Sequence, residues 1–279
     1  MQRGYITDEY LKPYAIFKND MKDTYVDEME ICSEFEEGIV KQEFQVFYQP
    51  VVDARTGKIV SAEALVRWLH EQKGWISPGQ FIPALEKGGY ISQLDRYMIE
   101  KVTGCLNQRR TEEKRFVPVS VNLSWMDFYD ENMLEWIVRG LKKNNQNEQK
   151  IRFEITETSL AAIGENHTRM LTHLKENGAE ILLDDFGSGY SSFGMLQDYD
   201  FDILKMDISF VRNIGVNKKS ESILRAIIDM AHQLEIRLVA EGAETEEQVA
   251  FLRENGCDYI QGYYYYKPMP EKRIFTVAG

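Results

Sequence analysis

The sequence contains little cysteine and no long apolar segment. Cys32, Cys105 and Cys257 are the only cysteines among 279 residues, and they form neither a CxxC pair nor a disulfide framework. This scarcity favours a reducing compartment. No apolar run approaches the roughly 18 residues that a membrane-spanning helix needs, and residues 1–14 contain no signal-peptide core. We therefore expect a cytoplasmic chain without membrane contact, although its parent protein can still be membrane-anchored.

An excess of positive charge is also absent. The chain has 33 Lys and Arg against 45 Asp and Glu, which gives a formal net charge of −12. Such a surface repels long nucleic acids and anionic membranes, because no basic field attracts their phosphates. A small anionic substrate therefore needs local cations, either a few Arg and Lys side chains or bound metal ions.

The chain does have a regular alternation of strand and helix patterns from Phe44 onward. Short runs rich in Val, Ile and Tyr predict eight strands, at Gln45–Val51, Ile59–Trp68, Val117–Asn122, Ile151–Thr156, Glu180–Asp184, Asp202–Met206, Arg237–Ala240 and Tyr259–Ile260. Helical patterns lie at Gln80–Lys87, Ser92–Asn107, Asn132–Lys142, Ser159–Asn177, Ser220–Leu234 and Glu246–Asn255. This alternation predicts an α/β fold, a modified TIM barrel of (β/α)8 type. The first link, Asp53–Lys58, is a short turn, so the first strand pair is predicted to be antiparallel.

The first 40 residues follow a different pattern. Tyr25, Met29, Cys32, Phe35 and Ile39 fall three or four residues apart, which predicts one amphipathic helix. Two interpretations stay open, a helix packed on the barrel and a signalling helix that joins an upstream domain. We therefore divide the chain into residues 1–40, an N-terminal extension or linker helix, and residues 41–279, the barrel.

Polar residues recur near the ends of the second to eighth predicted strands, where barrels of this class place their chemistry. They are Glu63, Asn122, Glu154, Glu157, Asp184, Asp185, Lys205, Asp207, Glu241 and Gln261. A single such carboxylate is usually a helix cap or a surface charge, and Asp184 with Asp185 can cap a following helix. Several carboxylates at one mouth repel one another unless cations bind between them. Carboxylate and amide oxygens suit Mg²⁺ or Mn²⁺.

Two divalent ions bridged by a carboxylate are the usual device for in-line attack on phosphorus. This pattern favours phosphodiester hydrolysis. Asp184 and Asp185 can serve both ions, and Lys205 can orient the attacking water. A structural salt bridge from Lys205 to Asp207 or to a neighbouring residue explains that lysine equally well.

Two other kinds of site are disfavoured. The segment Asp185–Ser192 (DFGSGYSS) lacks the pattern of a P-loop, and its glycines predict a flexible loop that can gate the metals. The four histidines occupy none of the strand-end positions, which argues against a zinc site.

The residues around Glu63 resemble a known family. Ala62–Trp68 reads AEALVRW, which resembles the EAL-domain cyclic di-GMP phosphodiesterases, named for the Glu-Ala-Leu at 63–65. Seven further motifs match in order over about residues 40–270. They are YQP (48–50), VNLS (121–124), EITE (154–157), DDFGSGYSS (184–192), KMD (205–207), AEGAET (240–245) and GCDYIQGY (256–263).

The resemblance implies a bacterial signalling hydrolase that cuts cyclic di-GMP to linear pGpG with two Mg²⁺ or Mn²⁺ ions. The metal ligands that it implies are Glu63, Asn122, Glu154, Asp184 and Asp185. The catalytic residues that it implies are Lys205, which holds the nucleophilic water, Glu241, a further acidic group or the base, and Glu157, which tethers the DFGSGYSS loop. The substrate-binding residues that it implies are Gln49, Leu65, Arg67, Asp207 and Gln261, the last as a supporting residue. It also implies a homodimer.

No residue of this constellation is missing. Ser188 stands where Thr is frequent and keeps the hydroxyl, and Ala243 stands where Val is frequent. The intact set favours an active phosphodiesterase over a silent cyclic di-GMP receptor that signals through the N-terminal helix. It also disfavours an unrelated metal-dependent barrel enzyme with Lys205 as its base. Lys12–Met21 resembles, weakly, the tail of a diguanylate-cyclase-type domain, which implies an excised output domain.

Overall fold

Eight strands close into a barrel, and two short strands extend it. The structure is a computed structural model that describes residues 19–112, 117–144, 151–163, 166–188 and 192–277. The strands are β1 Phe44–Asp53, β2 Ile59–His70, β3 Gly74–Ile76, β4 Val119–Asn122, β5 Ile151–Thr156, β6 Glu180–Phe186, β7 Ile203–Met206, β8 Arg237–Glu241, β9 Tyr259–Gln261 and β10 Met269–Pro270.

Helices connect most of the strands and cover the outside of the barrel. They are α1 Asn19–Val40, α2 Pro78–Gly88, α3 Ile91–Thr111, α4 Glu131–Asn144, α5 Glu157–Ile163, α6 Asn166–Glu176, α7 Ser192–Asp198, α8 Ile208–Arg212, α9 Lys218–Gln233, α10 Glu246–Glu254 and α11 Glu271–Val277. A 3-10 turn, Trp125–Tyr129, follows β4. None of the helices in the described ranges has the length and apolarity needed to cross a membrane.

The strand order confirms the predicted barrel and its antiparallel first pair. Around the barrel the order is β1, β9, β8, β7, β6, β5, β4 and β2, and a β1–β2 pairing closes the ring. β1 runs antiparallel to both of its barrel neighbours, whereas the others run parallel. The cause is local, because Asp53 Oδ1 accepts hydrogen bonds from the backbone N–H of Thr56 at 2.7 Å and from its hydroxyl at 2.8 Å. This Asx turn reverses the chain within five residues.

The barrel interior is built in three layers along the strands. Side chains two residues apart on a strand share a face, so alternate residues of each strand point into the barrel. An ion cluster fills the bottom, where Arg152 Nε contacts Glu180 Oε2 at 2.5 Å and Arg237 contacts Glu180 Oε1 at 3.2 Å. A buried apolar layer lies above it, formed by Val51, Leu182, Ile203 and Val239. The next residues toward the mouth are polar and form the candidate site.

Helix α1 packs on the barrel, mainly against α2. Phe35 is fully buried and meets Phe44 edge-on at a ring distance of 5.5 Å. Met29, which the predicted apolar stripe includes, is 58% exposed, so that part of the stripe is wrong. The stripe fails there because Ile31, not Met29, turns toward the barrel and is buried. Residues 1–18, which include most of the weakly matching 12–21 segment, lie outside the described residues, and the division at residue 40 stays a prediction.

Several element boundaries differ from the predictions. The single helix predicted over Ser159–Asn177 is two helices, α5 and α6, with residues 164–165 outside the described ranges. Strands β3 and β10 and helices α7 and α8 are too short to produce a readable period, so the sequence did not predict them. The eight barrel strands lie where they are predicted, within one to two residues at most ends.

Candidate active site

The uppermost interior layer is a ring of polar side chains at the carboxyl ends of the parallel strands. In the apolar layer below, Val51, Leu182, Ile203 and Val239 face inward. Two residues nearer the mouth on the same strands are Gln49, Asp184, Lys205 and Glu241, which therefore face inward too. Glu63, Asn122, Glu154 and Gln261 complete the ring from the other four strands. The structure thus brings together the predicted metal ligands and Lys205.

Lys205 lies at the centre of this ring. Its side chain is 2% exposed. Its Nζ lies 2.6 Å from Glu154, 2.6 Å from Glu241, 3.1 Å from Asp184 and 3.4 Å from Glu63. In the described residues these four carboxylates, and not Asp207, are the partners of the ammonium, so the predicted structural salt bridge is present with neighbours rather than with Asp207.

Asp184 and Asp185 reach the same cluster through a β-bulge. Consecutive residues of a regular strand point to opposite faces, so two adjacent aspartates cannot normally share one site. Here the β6–β7 register shifts between Leu183 and Phe186, and Asp185 has a φ of +56°. Oxygens of Asp184, Asp185 and Glu241 consequently lie within 4.8 Å of one another. A non-glycine residue in the left-handed region is often found at a functional site.

The two aspartates do not cap a following helix. Asp184 Oδ1 accepts a hydrogen bond from the backbone N–H of Asp185 at 2.9 Å, and helix α7 begins only at Ser192. The helix-cap interpretation of this pair is therefore wrong.

Burial sets the protonation of the ring. Burial, with the charges of Asp184 and Glu63 added, raises the pKa of Glu241 to about 8 although Lys205 opposes the shift. Burial and the charge of Glu63 hold the pKa of Glu154 well above its usual range. Burial opposes ionisation of Glu63 as well, but the Lys205 ammonium and the amides of Gln261 and Asn122 outweigh it and lower its pKa.

The charge balance of the ring fits divalent cations. The cluster has five carboxylates, those of Glu63, Glu154, Asp184, Asp185 and Glu241. Among the described residues Lys205 is the one cation in contact with the cluster, and it contacts four of the five. Ionised together, they leave an excess of four negative charges, which two divalent ions neutralise. The donors are oxygens only, and Gln261 Oε1 is buried without a hydrogen-bond partner. Hard oxygen donors of this kind suit Mg²⁺ or Mn²⁺.

No histidine whose side chain the structure describes belongs to this donor set. His70 pairs with Glu34 at 3.4 Å and His232 with Asp258 at 3.3 Å, both away from the ring. The side chain of His167 lies outside the described residues.

Glu157 lies just outside the ring, at the start of α5. It is 2% exposed, and its Oε2 accepts a hydrogen bond from the backbone N–H of Gly187 at 3.3 Å. Gly187 has a φ of +90°, and a Cβ there would lie 2.6 Å from the ring of Phe210, so only glycine fits. This contact joins Glu157 to the first residues of the DFGSGYSS segment. Residues 189–191 of that segment, including Gly189, lie outside the described residues.

A pocket of about 350 Å³ opens from the ring along β2 and the helices α2 and α3. Leu65 and Arg67 line it, together with Glu63, Asn122, Asp184 and Asp185. Gln49 is buried beside the ring and donates to the carbonyl of Tyr266 at 3.4 Å. Asp207 instead caps α8 by accepting from Ser209 N at 3.0 Å.

Two carboxylates of this pocket were missed by the sequence reasoning. Glu86 and Asp95 line it from α2 and α3. Burial raises the pKa of Glu86, and burial with the charge of Asp127 holds the pKa of Asp95 well above its usual range. Both lie inside helices rather than at strand ends. A helical wheel could have indicated them only if the side of each helix that faces the pocket had been known.

Fold and site together define a barrel whose mouth holds a buried acidic centre beside an open pocket. The chain belongs to the EAL domain family, whose profile matches residues 33–268.

Similar proteins support this assignment. A signalling protein of Caulobacter vibrioides is 35% identical over 95% of this chain, and the alignment covers 33% of that protein. The cyclic di-GMP phosphodiesterase NbdA of Pseudomonas aeruginosa is 32% identical over 87% of this chain and 31% of its own length. The solved PaMucR phosphodiesterase, a c-di-GMP complex, matches with a TM-score of 0.81 at 29% identity, covering 88% of this chain and 99% of that one.

The chain spans about a third of the length of the first of its curated relatives. The likeness therefore concerns one domain of those proteins. Their other domains and their whole activities do not follow from it.

Proposed function

We propose that this chain hydrolyses cyclic di-GMP to linear pGpG, with two bound Mg²⁺ or Mn²⁺ ions. The observation that supports this most is the cluster of five carboxylates at the mouth of the barrel, four of which contact Lys205. The choice of substrate is based on family membership, because the relatives NbdA and PaMucR are named for cyclic di-GMP.

Each residue of the ring has a place in the proposal. Glu63, Asn122, Glu154, Asp184 and Asp185 hold the metals. When bound, these ions polarise the phosphoryl oxygens and make water a better nucleophile near neutral pH. The bulge at Asp184 and Asp185 explains how two adjacent residues serve one centre.

The remaining residues position water and substrate. Lys205 orients the attacking water and offsets negative charge that develops on phosphorus. Glu241 is a further acidic group of the centre, and in its ionised form it can accept the proton of that water. Gln261 donates to Glu63 at 2.6 Å and so fixes the orientation of that carboxylate. Water attacks phosphorus and the bond to the 3′ oxygen breaks, which leaves a 5′ phosphate and a free 3′ hydroxyl.

Substrate contacts follow from the pocket. Arg67 and Leu65 line the pocket, and we propose that they contact the dinucleotide there. Gln49 and Asp207 are proposed to contact it as well, from the mouth of the barrel. Glu157 tethers the loop at Gly187. We also propose a homodimer in a cytoplasmic setting, as in the family resemblance.

A matched pair of variants tests this assignment. Glu63→Gln keeps the size of the side chain and removes a charged oxygen donor, so we expect roughly a thousandfold loss of turnover with the fold retained. Glu100→Gln makes the same change on the exposed face of α3 and should leave turnover unchanged. Product formation is followed by chromatography, and circular dichroism reports the fold. Full activity in Glu63→Gln would contradict the metal assignment.

A further inference from the structure

Two aromatic side chains that have no role in the proposed function lie beside Arg67, which lines the pocket. We call Phe47, Arg67 and Trp75 the aromatic rim. The rings of Phe47 and Trp75 meet edge-on at 5.8 Å, and the Arg67 guanidinium lies 5.9 Å from the centre of the Phe47 ring. Trp75 is 56% exposed, so its ring is not part of the core.

The strand register shows that the rim faces the site. Directly opposed residues of an antiparallel pair share a face. Gln49 opposes Glu63, and Phe47 opposes Leu65. Phe47 therefore lies on the face that holds the ring of polar side chains around Lys205, which we call the acidic ring. Trp75 opposes Leu69, which lies on that face because it is two residues beyond Arg67.

The aromatic rim also lies close enough to the acidic ring for one nucleotide to contact both. The Trp75 side chain leans back across β2 to Phe47, and so reaches the level of Leu65. Leu65 is two residues from Glu63, which is about 7 Å along a strand. A group attached to a phosphate at the acidic ring can therefore reach the Trp75 ring.

The side chains of the rim favour binding of a ligand that contains a flat, electron-rich ring. Exposed tryptophan stacks on nucleobases, and a guanidinium binds over the same kind of surface. The described residues that line the pocket include Ile82, Ile91, Leu94 and Met98 but no aromatic side chain.

We infer that Trp75 is a base-stacking residue, and that one purine base of the dinucleotide stacks on it while its phosphate lies at the acidic ring. This inference rests on the proposed function, because it needs a nucleotide at that ring. It makes Trp75 a positioning residue that affects substrate binding and selectivity.

Steady-state kinetics with cyclic di-GMP and Mn²⁺ tests the inference. Trp75→Ala should raise KM about 5- to 50-fold, the range expected when a base-stacking aromatic is removed. Its kcat should change little, because Trp75 touches no reacting atom. Trp75→Phe keeps a ring and should restore most of the lost affinity. Leu234→Ala removes another exposed apolar side chain at the opposite end of the barrel, and should behave as the unchanged protein.

Tryptophan fluorescence gives a second readout that a purely structural role would not move. Cyclic di-GMP added in the presence of a chelator should quench the unchanged protein, and Trp75→Phe should lose that part of the quenching. An unchanged KM in Trp75→Ala, with equal quenching in Trp75→Phe, overturns the inference even if turnover is normal. Binding without turnover would contradict the proposed hydrolysis alone, and Trp75→Ala would then be judged by its Kd. No binding and no turnover would overturn both.

Discussion

At the scale of single residues, the positive charge of Lys205 partly balances the negative charges of the site. It contacts four carboxylates, and its own pKa is held well above the usual range because their charges outweigh the effect of burial. Removing one partner of such a cluster leaves buried charge uncompensated. The lysine therefore stabilises the metal-free protein, in addition to the role in orienting water that we propose for it.

Lys205→Met should lower the free energy of unfolding of the metal-free protein by about 3–5 kcal/mol. Added Mn²⁺ should recover part of this loss, because cations replace the missing ammonium charge. Urea denaturation with chelator and with Mn²⁺ measures both effects.

Lys175→Met is the matched control. Lys175 pairs with Asp200 at 2.6 Å, but Asp200 is 88% exposed, so the loss should be about 0–1 kcal/mol. Equal losses in the two variants would show that Lys205 is an ordinary surface-type ion pair.

The sequence predicted the identity of these residues better than their geometry. Strand-end position is enough to select Glu63, Glu154 and Glu241, because parallel strands place their carboxyl ends together. It does not explain Asp185, which reaches the ring only through a bulge and a positive φ. Bulges arise from strand register, which a single sequence does not display.

At the scale of elements, the attachment of α1 depends on one side of the helix. Phe35→Ala should lower the free energy of unfolding by about 3–5 kcal/mol, since it removes a fully buried ring from a packed cluster. Met29→Ala, on the exposed side of the same helix, should cost less than about 0.5 kcal/mol. Thermal or urea denaturation compares them. Similar losses would contradict the packing described for α1.

The loop after β6 depends on its contact with α5. Glu157→Ala removes the carboxylate that accepts from Gly187 N, so it should reduce kcat/KM about 10- to 100-fold by loosening the support of Asp185. Metal dependence and dimerisation should change with it. If turnover, metal dependence and oligomeric state all stayed the same, the tether would have no functional role.

Elements were predictable where they are long and periodic. The eight barrel strands follow from runs of Val and Ile, and their parallel order follows from the intervening helices. β3 and β10 have three and two residues, and they exist because neighbouring strands pair with them rather than through their own sequence.

At the scale of the whole molecule, the acidic ring makes stability depend on pH. Burial raises the pKa of Glu241 from 4.5 to about 8, and the pKa values of Glu154 and Asp185 also lie above their ordinary values. Between pH 4.5 and 8 the folded, metal-free protein therefore holds more protons than the unfolded chain. Its stability should fall as pH rises through this window.

Melting temperature measured in chelator from pH 5 to 8 tests this expectation. Glu241→Gln, which cannot ionise, should show a shallower decline. Metal affinity should change in the opposite direction, because the ligands bind ions only when deprotonated. A melting temperature that rises steadily over this range would contradict the protonation described for the ring.

The most direct test of the account is turnover of cyclic di-GMP by the purified chain with Mg²⁺ or Mn²⁺, with the products resolved by chromatography. We expect pGpG to form, and its formation to stop when a chelator is added. Tight binding of cyclic di-GMP with no product in the presence of either metal would contradict the proposed hydrolysis. It would instead identify the acidic ring and its pocket as a receptor site.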